Sequence, residues 1–146
     1  MTLDQNVEVG QTFSQTVAEN LSRTQIVMYA GASGDFNPLH HDEVFVKAAG
    51  YPGVFAHGML VMGLTGRLLT DTVGDGNLLK FGGRFTKQVW PGDTLVAEAV
   101  VTEVHNDDGR RVADLSVNTK NQAGDVVFAG EASALVSGER TPGAGR

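Results

Sequence analysis

Between Gly58 and Thr72 the chain is apolar on nearly every face of a helix, and this stretch restricts the fold more than any other. Such a helix has to be covered. The wider segment Val54 to Val73 is interrupted by His57, Thr65, Arg67, Thr70 and Asp71, so it falls short of a membrane span and reads as a core element. With 146 residues the chain has the size of one domain built around that element. Met1 to Gly10 carries Asp4 and Glu8 and lacks the basic-then-apolar order of a signal peptide, so the expected location is the cytoplasm.

The material to cover the helix lies downstream. Runs of alternating or β-branched residues span Phe81 to Val89, Thr94 to His105, Arg110 to Thr119 and Val126 to Val136, which predicts four strands. Trp90-Pro91-Gly92-Asp93, Asn106-Asp107-Asp108-Gly109 and Asn121-Gln122-Ala123-Gly124 are short connections rich in turn residues. They predict successive antiparallel hairpins, a meander. Phe13 to Leu21 supplies a fifth strand. The expected fold class is therefore α+β, an antiparallel sheet with one apolar helix against it, Gly63 and Gly66 allowing a close approach. This single domain is expected to occupy residues 1–137. Residues 138–146 contain Pro142 and no periodicity and are expected to form a mobile tail.

Upstream of the apolar helix the signals are helical. Ser22 and Gln25 have the spacing of a capping box, with Ile26, Tyr29 and Ala30 at helical intervals behind them, which predicts a helix over about 24–32. Asp42 is placed to cap a second short helix from Glu43 to about Ala49. Gly34 to His40 between them, with Asp35, Asn37 and Pro38, reads as a tight loop. Gly50 to Phe55, with Pro52 and Gly53, reads as another.

That first loop holds the densest polar cluster, Asp35-Phe36-Asn37-Pro38-Leu39-His40-His41-Asp42. A carboxylate and an imidazole five positions apart, on a loop stiffened by Asn37 and Pro38, can converge on one water and deprotonate it. The same residues also suit a solvated connection in which Asp35 and Asp42 cap backbone amides. A metal set of Asp35, His40, His41 and Asp42 lacks the helical spacing of zinc ligands, and adjacent histidines point apart, which leaves His41 facing solvent. The second feature is Ala56-His57-Gly58-Met59 at the start of the apolar helix. There a glycine can offer an open N–H to a developing oxyanion, while His57 caps the helix or satisfies a buried acceptor. Gly58 equally suits close packing. Lys80, Arg84 and Lys87 surround one strand and can meet the phosphates of an anionic ligand or simply face solvent. His105, beside a turn, is expected at the surface.

Several chemistries lose support. The chain has no cysteine, which removes disulfides, thiolate nucleophiles and Cys-ligated zinc. A net charge of −6 with no basic run argues against a nucleic-acid partner. No phosphate-binding glycine loop, dinucleotide fingerprint or Gly-x-Ser-x-Gly elbow is present.

The run from Tyr29 to Asp42, with its Asp35-x-Asn37-Pro38-x-His40 core, is followed by Ala56-His57-Gly58-Met59-Leu60 and then by Arg84 to Leu95. Together these resemble the MaoC-like family of (R)-specific enoyl-thioester hydratases and dehydratases, over most of residues 7–136. The resemblance implies a hot-dog fold, a curved antiparallel sheet wrapped around a central helix, usually dimeric with the site near the dimer interface. It implies a catalytic pair of Asp35 and His40, with Asn37 holding the loop and the Gly58 N–H polarising the thioester carbonyl. His57, Met59 and Gly66, with the basic Lys80, Arg84 and Lys87, become the expected substrate-binding positions. No metal or redox cofactor is implied, and the acyl group would arrive on coenzyme A or an acyl carrier protein. Some hydratases carry a Ser where this chain has Gly66. Ala30 to Asp35 also resembles the catalytic subunit of actinobacterial dehydratases that pair with a non-catalytic hot-dog partner, so homodimer and heterodimer are both compatible. The rivals to a hydratase are a thioesterase and a non-catalytic subunit.

Overall fold

The computed structural model describes residues 3–136; the expected tail and the extreme N-terminus lie outside them. Strand β1 (Thr12–Ala18) leads into helix α1 (Arg23–Ser33), a 3-10 turn over Pro38–His40, helix α2 (Glu43–Ala48) and the long helix α3 (Gly58–Val73). Strands β2 (Leu78–Phe85), β3 (Leu95–Asp107), β4 (Arg110–Lys120) and β5 (Val126–Leu135) complete one antiparallel sheet. Helix α1 forms where the capping box predicts. Ser22 Oγ accepts from the Gln25 amide at 3.1 Å, Gln25 Oε1 accepts from the Ser22 amide at 2.9 Å, and Gly34 ends the helix at φ +73°. Arg23 and Glu43, 2.6 Å apart, then tie α1 to the start of α2.

The sheet is not the predicted meander. Its order is β1-β3-β4-β5-β2, so β2 pairs with β5 (Phe81 opposite Ala132) and not with its successor β3. Strand β2 also stops at Phe85, short of the expected Val89. The reason lies in where the next backbone groups find partners. The Val89 carbonyl accepts from the Ala56 amide at 2.8 Å, and the Gly92 amide donates to the Leu21 carbonyl at 2.7 Å. Those bonds draw the segment across to the other edge, where β3 pairs with β1 (Thr12 opposite Val100). Trp90 to Asp93 is a turn, with Asp93 Oδ2 accepting from the Trp90 amide at 2.9 Å, but it sits in a crossover. The connections β3-β4 and β4-β5 are the hairpins expected.

Helix α3 packs on β1, β2, β3 and β5 through Val61, Thr65, Leu68, Leu69, Thr72 and Val73. Burial of each large apolar side chain there contributes about 1.5–3 kcal/mol. Its other side, with Met59, Gly63, Arg67 and Thr70, is open in the single chain, so burial follows one stripe despite the apolar composition. Gly63 and Gly66 do not create a close approach. A Cβ on Gly63 would meet nothing within 4 Å, and one on Gly66 would make an ordinary 3.6 Å contact with Phe81. The tight glycines are Gly58, against Phe85, and the facing pair Gly83 and Gly130 between β2 and β5.

Candidate active site

The loop after α1 is a chain of side-chain-to-backbone bonds. Ser33 Oγ accepts from the Asp35 amide at 3.2 Å, Asp35 Oδ1 from the Asn37 amide at 3.2 Å, and Asn37 Oδ1 from the Leu39 amide at 3.1 Å. Pro38 opens the 3-10 turn, where its missing N–H costs nothing and its fixed φ suits the turn. These bonds leave Asp35 exposed and turn His40 inward to 9% exposure. His40 Nδ1 lies 2.6 Å from the Phe55 carbonyl oxygen. A carbonyl only accepts, so Nδ1 carries the proton and Nε2 is the bare, basic nitrogen. Burial pushes the His40 pKa below the ordinary 6.5; the nearby His57 and His41 push the same way, while the Phe55 carbonyl and Asp35 oppose them. The ring is thereby a neutral base at neutral pH.

His57 precedes the first residue of α3 and makes no capping bond with its side chain. It lies under His40, the two rings stacked with centroids 3.8 Å apart, and its Nε2 is 3.0 Å from the Asp35 carbonyl oxygen. Asp35, His40 and His57 thus offer donor atoms all within 4.8 Å of one another, a triangle that could reach a common cation. The other metal set weighed above does not assemble. His41 turns out to bond the Phe36 carbonyl at 3.1 Å, and Asp42 Oδ1 accepts from the Val44 and Phe45 amides at 3.0 Å each, as the cap of α2.

Gly58 opens α3, where the first amides have no intrahelical acceptor and the helix dipole is positive. A cleft of about 270 Å³ runs past it between Phe55, Val61, Phe85, Lys87 and Val89. Phe85 forms the wall facing Gly58; the sequence places it mid-way along the expected strand Phe81 to Val89 and within the Arg84 to Leu95 segment of the family pattern, with nothing in its residue type to mark that role.

The expected substrate-binding positions separate. Met59 is 56% exposed on α3. Gly66 lies two turns along, against Phe81. Lys87 lines the cleft but pairs with Asp125 at 2.6 Å. Lys80 and Arg84 do not cluster with it. They alternate with the inward Phe81 and so line a different basin of about 450 Å³ on the outer face of the sheet, with Ser116, Asn118 and Glu131. His105 is half-buried and lies 3.0 Å from Asp114.

Residues 4–123 match the family described as MaoC like domain, so the chain belongs to that family. It is 32% identical over 130 residues to the (R)-specific enoyl-CoA hydratase of Aeromonas caviae, covering 88% of this chain and 94% of that one. It is 45% identical over 67 residues to 3-hydroxyacyl-thioester dehydratase Y of Mycobacterium tuberculosis, 43% of this chain and 23% of that protein. The chain spans about a third or less of the length of that relative and of the peroxisomal enoyl-CoA hydratase 2 of Arabidopsis thaliana. Its fold matches the solved (R)-hydratase from A. caviae involved in PHA biosynthesis with a TM-score of 0.81 at 29% identity, covering 91% of this chain and 99% of that one. It also matches a chain of the ChsH1-ChsH2 complex from M. tuberculosis, with a TM-score of 0.74 at 27% identity over 88% of this chain and 98% of that one. The curved five-stranded sheet with α3 against it is the hot-dog fold. Among the described residues no helix is long and apolar enough to cross a membrane.

Proposed function

We propose that the chain hydrates trans-2-enoyl thioesters and, in reverse, dehydrates (3R)-3-hydroxyacyl thioesters, the acyl group carried by coenzyme A or an acyl carrier protein. The observation that carries this reading is the neutral His40 ring, basic at Nε2, held within 4.8 Å of the Asp35 carboxylate near the start of α3. In hydration the pair binds one water and removes a proton from it as its oxygen attacks C3, and the same site delivers a proton to C2. Dehydration returns through the same groups. The enolate-like oxygen that develops on the thioester is stabilised by the Gly58 N–H, and loss of such a donor costs about 10²- to 10³-fold. The cleft that Gly58 lines together with Phe55, Val61, Phe85 and Val89 takes the acyl chain. The chemistry requires no resident metal or redox group.

The reading includes a second hot-dog subunit. Strand β2 is an edge of the sheet, and its Leu79 and Phe85 are 43% and 48% exposed, as is Met59 of α3 at 56%. A partner covering them would also close the cleft. It is compatible with a homodimer or a heterodimer in the cytoplasm.

The test is loss of enoyl absorbance when the purified chain meets crotonyl-CoA and a longer trans-2-enoyl-CoA, with Asp35→Asn and His40→Ala as controls. The expected result is turnover lost in both folded variants. Release of free thiol with the double bond retained would instead establish a thioesterase. Silence of the folded wild-type chain on both substrates would overturn the self-sufficient coenzyme A hydratase.

A further inference from the structure

We propose that His57 is a positioning residue for the catalytic pair, an inference that rests on the hydratase reading above: its ring holds Asp35 and His40 in register with the Gly58 amide without touching substrate. His57 is 1% exposed. A ring so enclosed is poorly placed to meet an acyl chain, and its hydrogen bond and its stacking contact are both with the catalytic pair. Nε2 lies 3.0 Å from the Asp35 carbonyl oxygen, one face stacks on His40 with an interplanar angle of 29°, and Tyr29 of α1 meets it edge-on with centroids 4.8 Å apart.

The bonds form two crossed struts. His40 of the loop donates to the carbonyl of Phe55, and two residues further along that second segment His57 donates back to the carbonyl of Asp35. The loop bearing the carboxylate is thereby fixed to the segment that ends in Gly58. Shifting Asp35 relative to the helix amide requires the His57 bond to break, and unstacking His57 removes the floor under His40. A misplacement of about 1 Å in such a site costs on the order of 10²-fold in rate.

The same geometry sets the tautomer. The Asp35 carbonyl can only accept, so His57 carries its proton on Nε2. Nδ1 is buried with no hydrogen-bond partner, which a bare acceptor nitrogen tolerates better than an unpaired N–H donor. His40 has the opposite arrangement, Nδ1–H with Nε2 bare. Two stacked imidazoles of opposite tautomer thus serve different purposes, one as base and one as strut.

Two measurements on the full-length chain test this. Imidazole ¹⁵N shifts at pH 8 are expected to give His57 as the Nε2–H tautomer and His40 as the Nδ1–H tautomer. His57 found as Nδ1–H would overturn the proposal whatever the activity. Steady-state kinetics then compare His57→Phe, which keeps a flat ring but no donor, with His57→Gln, whose Nε2 can reach the position of the imidazole N–H. His57→Phe is expected to lose about 10- to 100-fold in kcat with KM within about twofold, and His57→Gln to recover most of that loss. A rise in KM with kcat unchanged would make His57 a substrate contact, and equal losses in the two variants would reduce it to a buried filler. Either result in an active wild-type enzyme overturns this inference alone, whereas a wild-type chain inert to enoyl thioesters overturns the reaction itself.

Discussion

The hydroxyl oxygens of Thr65 on α3 and Thr119 on β4 stand 2.6 Å apart, both residues fully buried. Thr65 also donates to the Val61 carbonyl at 2.9 Å, which uses its one hydrogen, so the Thr119 hydroxyl is the donor between the two. Thr65→Val is expected to strand that donor in the core and cost about 1–3 kcal/mol. Thr119→Val leaves the Thr65 bond intact and is expected to cost about 1 kcal/mol or less. Urea midpoints at an unchanged slope check the ranking. The reverse order would mean the hydrogen runs the other way.

Gly83 and Gly130 face each other across β2 and β5 with no room for a side chain on either. A Cβ on Gly83 would stand 2.5 Å from the Ala129 carbonyl oxygen and 2.6 Å from Phe128 Cζ, so backbone or a buried ring would have to move. Gly83→Ala is expected to destabilise by about 1–3 kcal/mol or more. Its neighbour supplies the control, since a Cβ on Gly82 would meet nothing within 4 Å. Gly82→Ala is expected within about 0.5 kcal/mol of wild type. Equal melting temperatures for the two variants would contradict the crowding.

A methyl on Gly58 would lie 2.8 Å from two ring carbons of Phe85, a side chain 48% exposed and able to swing. Gly58→Ala is therefore expected to fold, with stability changed by no more than about 1 kcal/mol, while the displaced ring disturbs the cleft. The expected loss in kcat/KM is on the order of 10-fold or more. Adding Phe85→Ala is expected to recover part of it. Wild-type kcat/KM in Gly58→Ala alone would remove this cleft from the reaction path.

Local signals carried much of this structure in the sequence. Ser22 with Gln25 and Asp42 before Glu43 mark helix starts because a cap acts over three residues, and the observed bonds are those the spacing requires. Strand partners are different. Whether β2 joins β3 or β5 depends on where the Val89 carbonyl and Gly92 amide bond, and their partners Ala56 and Leu21 lie far off in sequence. At the site, Asp35 and His40 were visible as a cluster and through the family pattern. For His57 the sequence offers a helix cap or a donor to a buried acceptor, and the second holds. Which acceptor it meets is not legible, because it is a main-chain carbonyl 22 residues away, which leaves no trace in residue types. The division among the basic residues did leave a trace. Lys80 and Arg84 share a parity opposite to Phe81 and Phe85, and in a strand that places them on the opposite face.

The lowered pKa of His40 makes a prediction about pH. Burial disfavours its protonated form in the folded state, so between its folded value and the ordinary 6.5 the unfolded chain binds the extra proton. Stability from this residue is accordingly intact at pH 8 and is lost as pH falls through that window. The melting-temperature advantage of wild type over His40→Gln is expected to shrink as pH falls from 8 to below 6.5. The acid limb of kcat/KM is expected to have its midpoint below 6.5. A midpoint above it would mean that His40 is not the base in the free enzyme.

Asn37 links the fold of the loop to the pair it presents. Its Oδ1 accepts from the Leu39 amide at 3.1 Å, and its own amide donates to Asp35 Oδ1 at 3.2 Å. Only the first bond uses the side chain. Asn37→Ala therefore leaves the bond to the carboxylate possible while removing the cap of the turn that aims His40. The expected cost is about 0.5–2 kcal/mol in stability, the range for a lost cap. Because the turn also sets the direction of His40 Nε2, kcat is expected to fall about 10-fold with KM little changed. Asn37→Asp restores the acceptor and is expected to recover the stability. It also puts a second carboxylate beside Asp35, so its kcat is not expected to recover in step. Recovery of both would show that the cap alone matters; loss of neither in Asn37→Ala would show that Pro38 and the bond from His40 to Phe55 hold the turn without it.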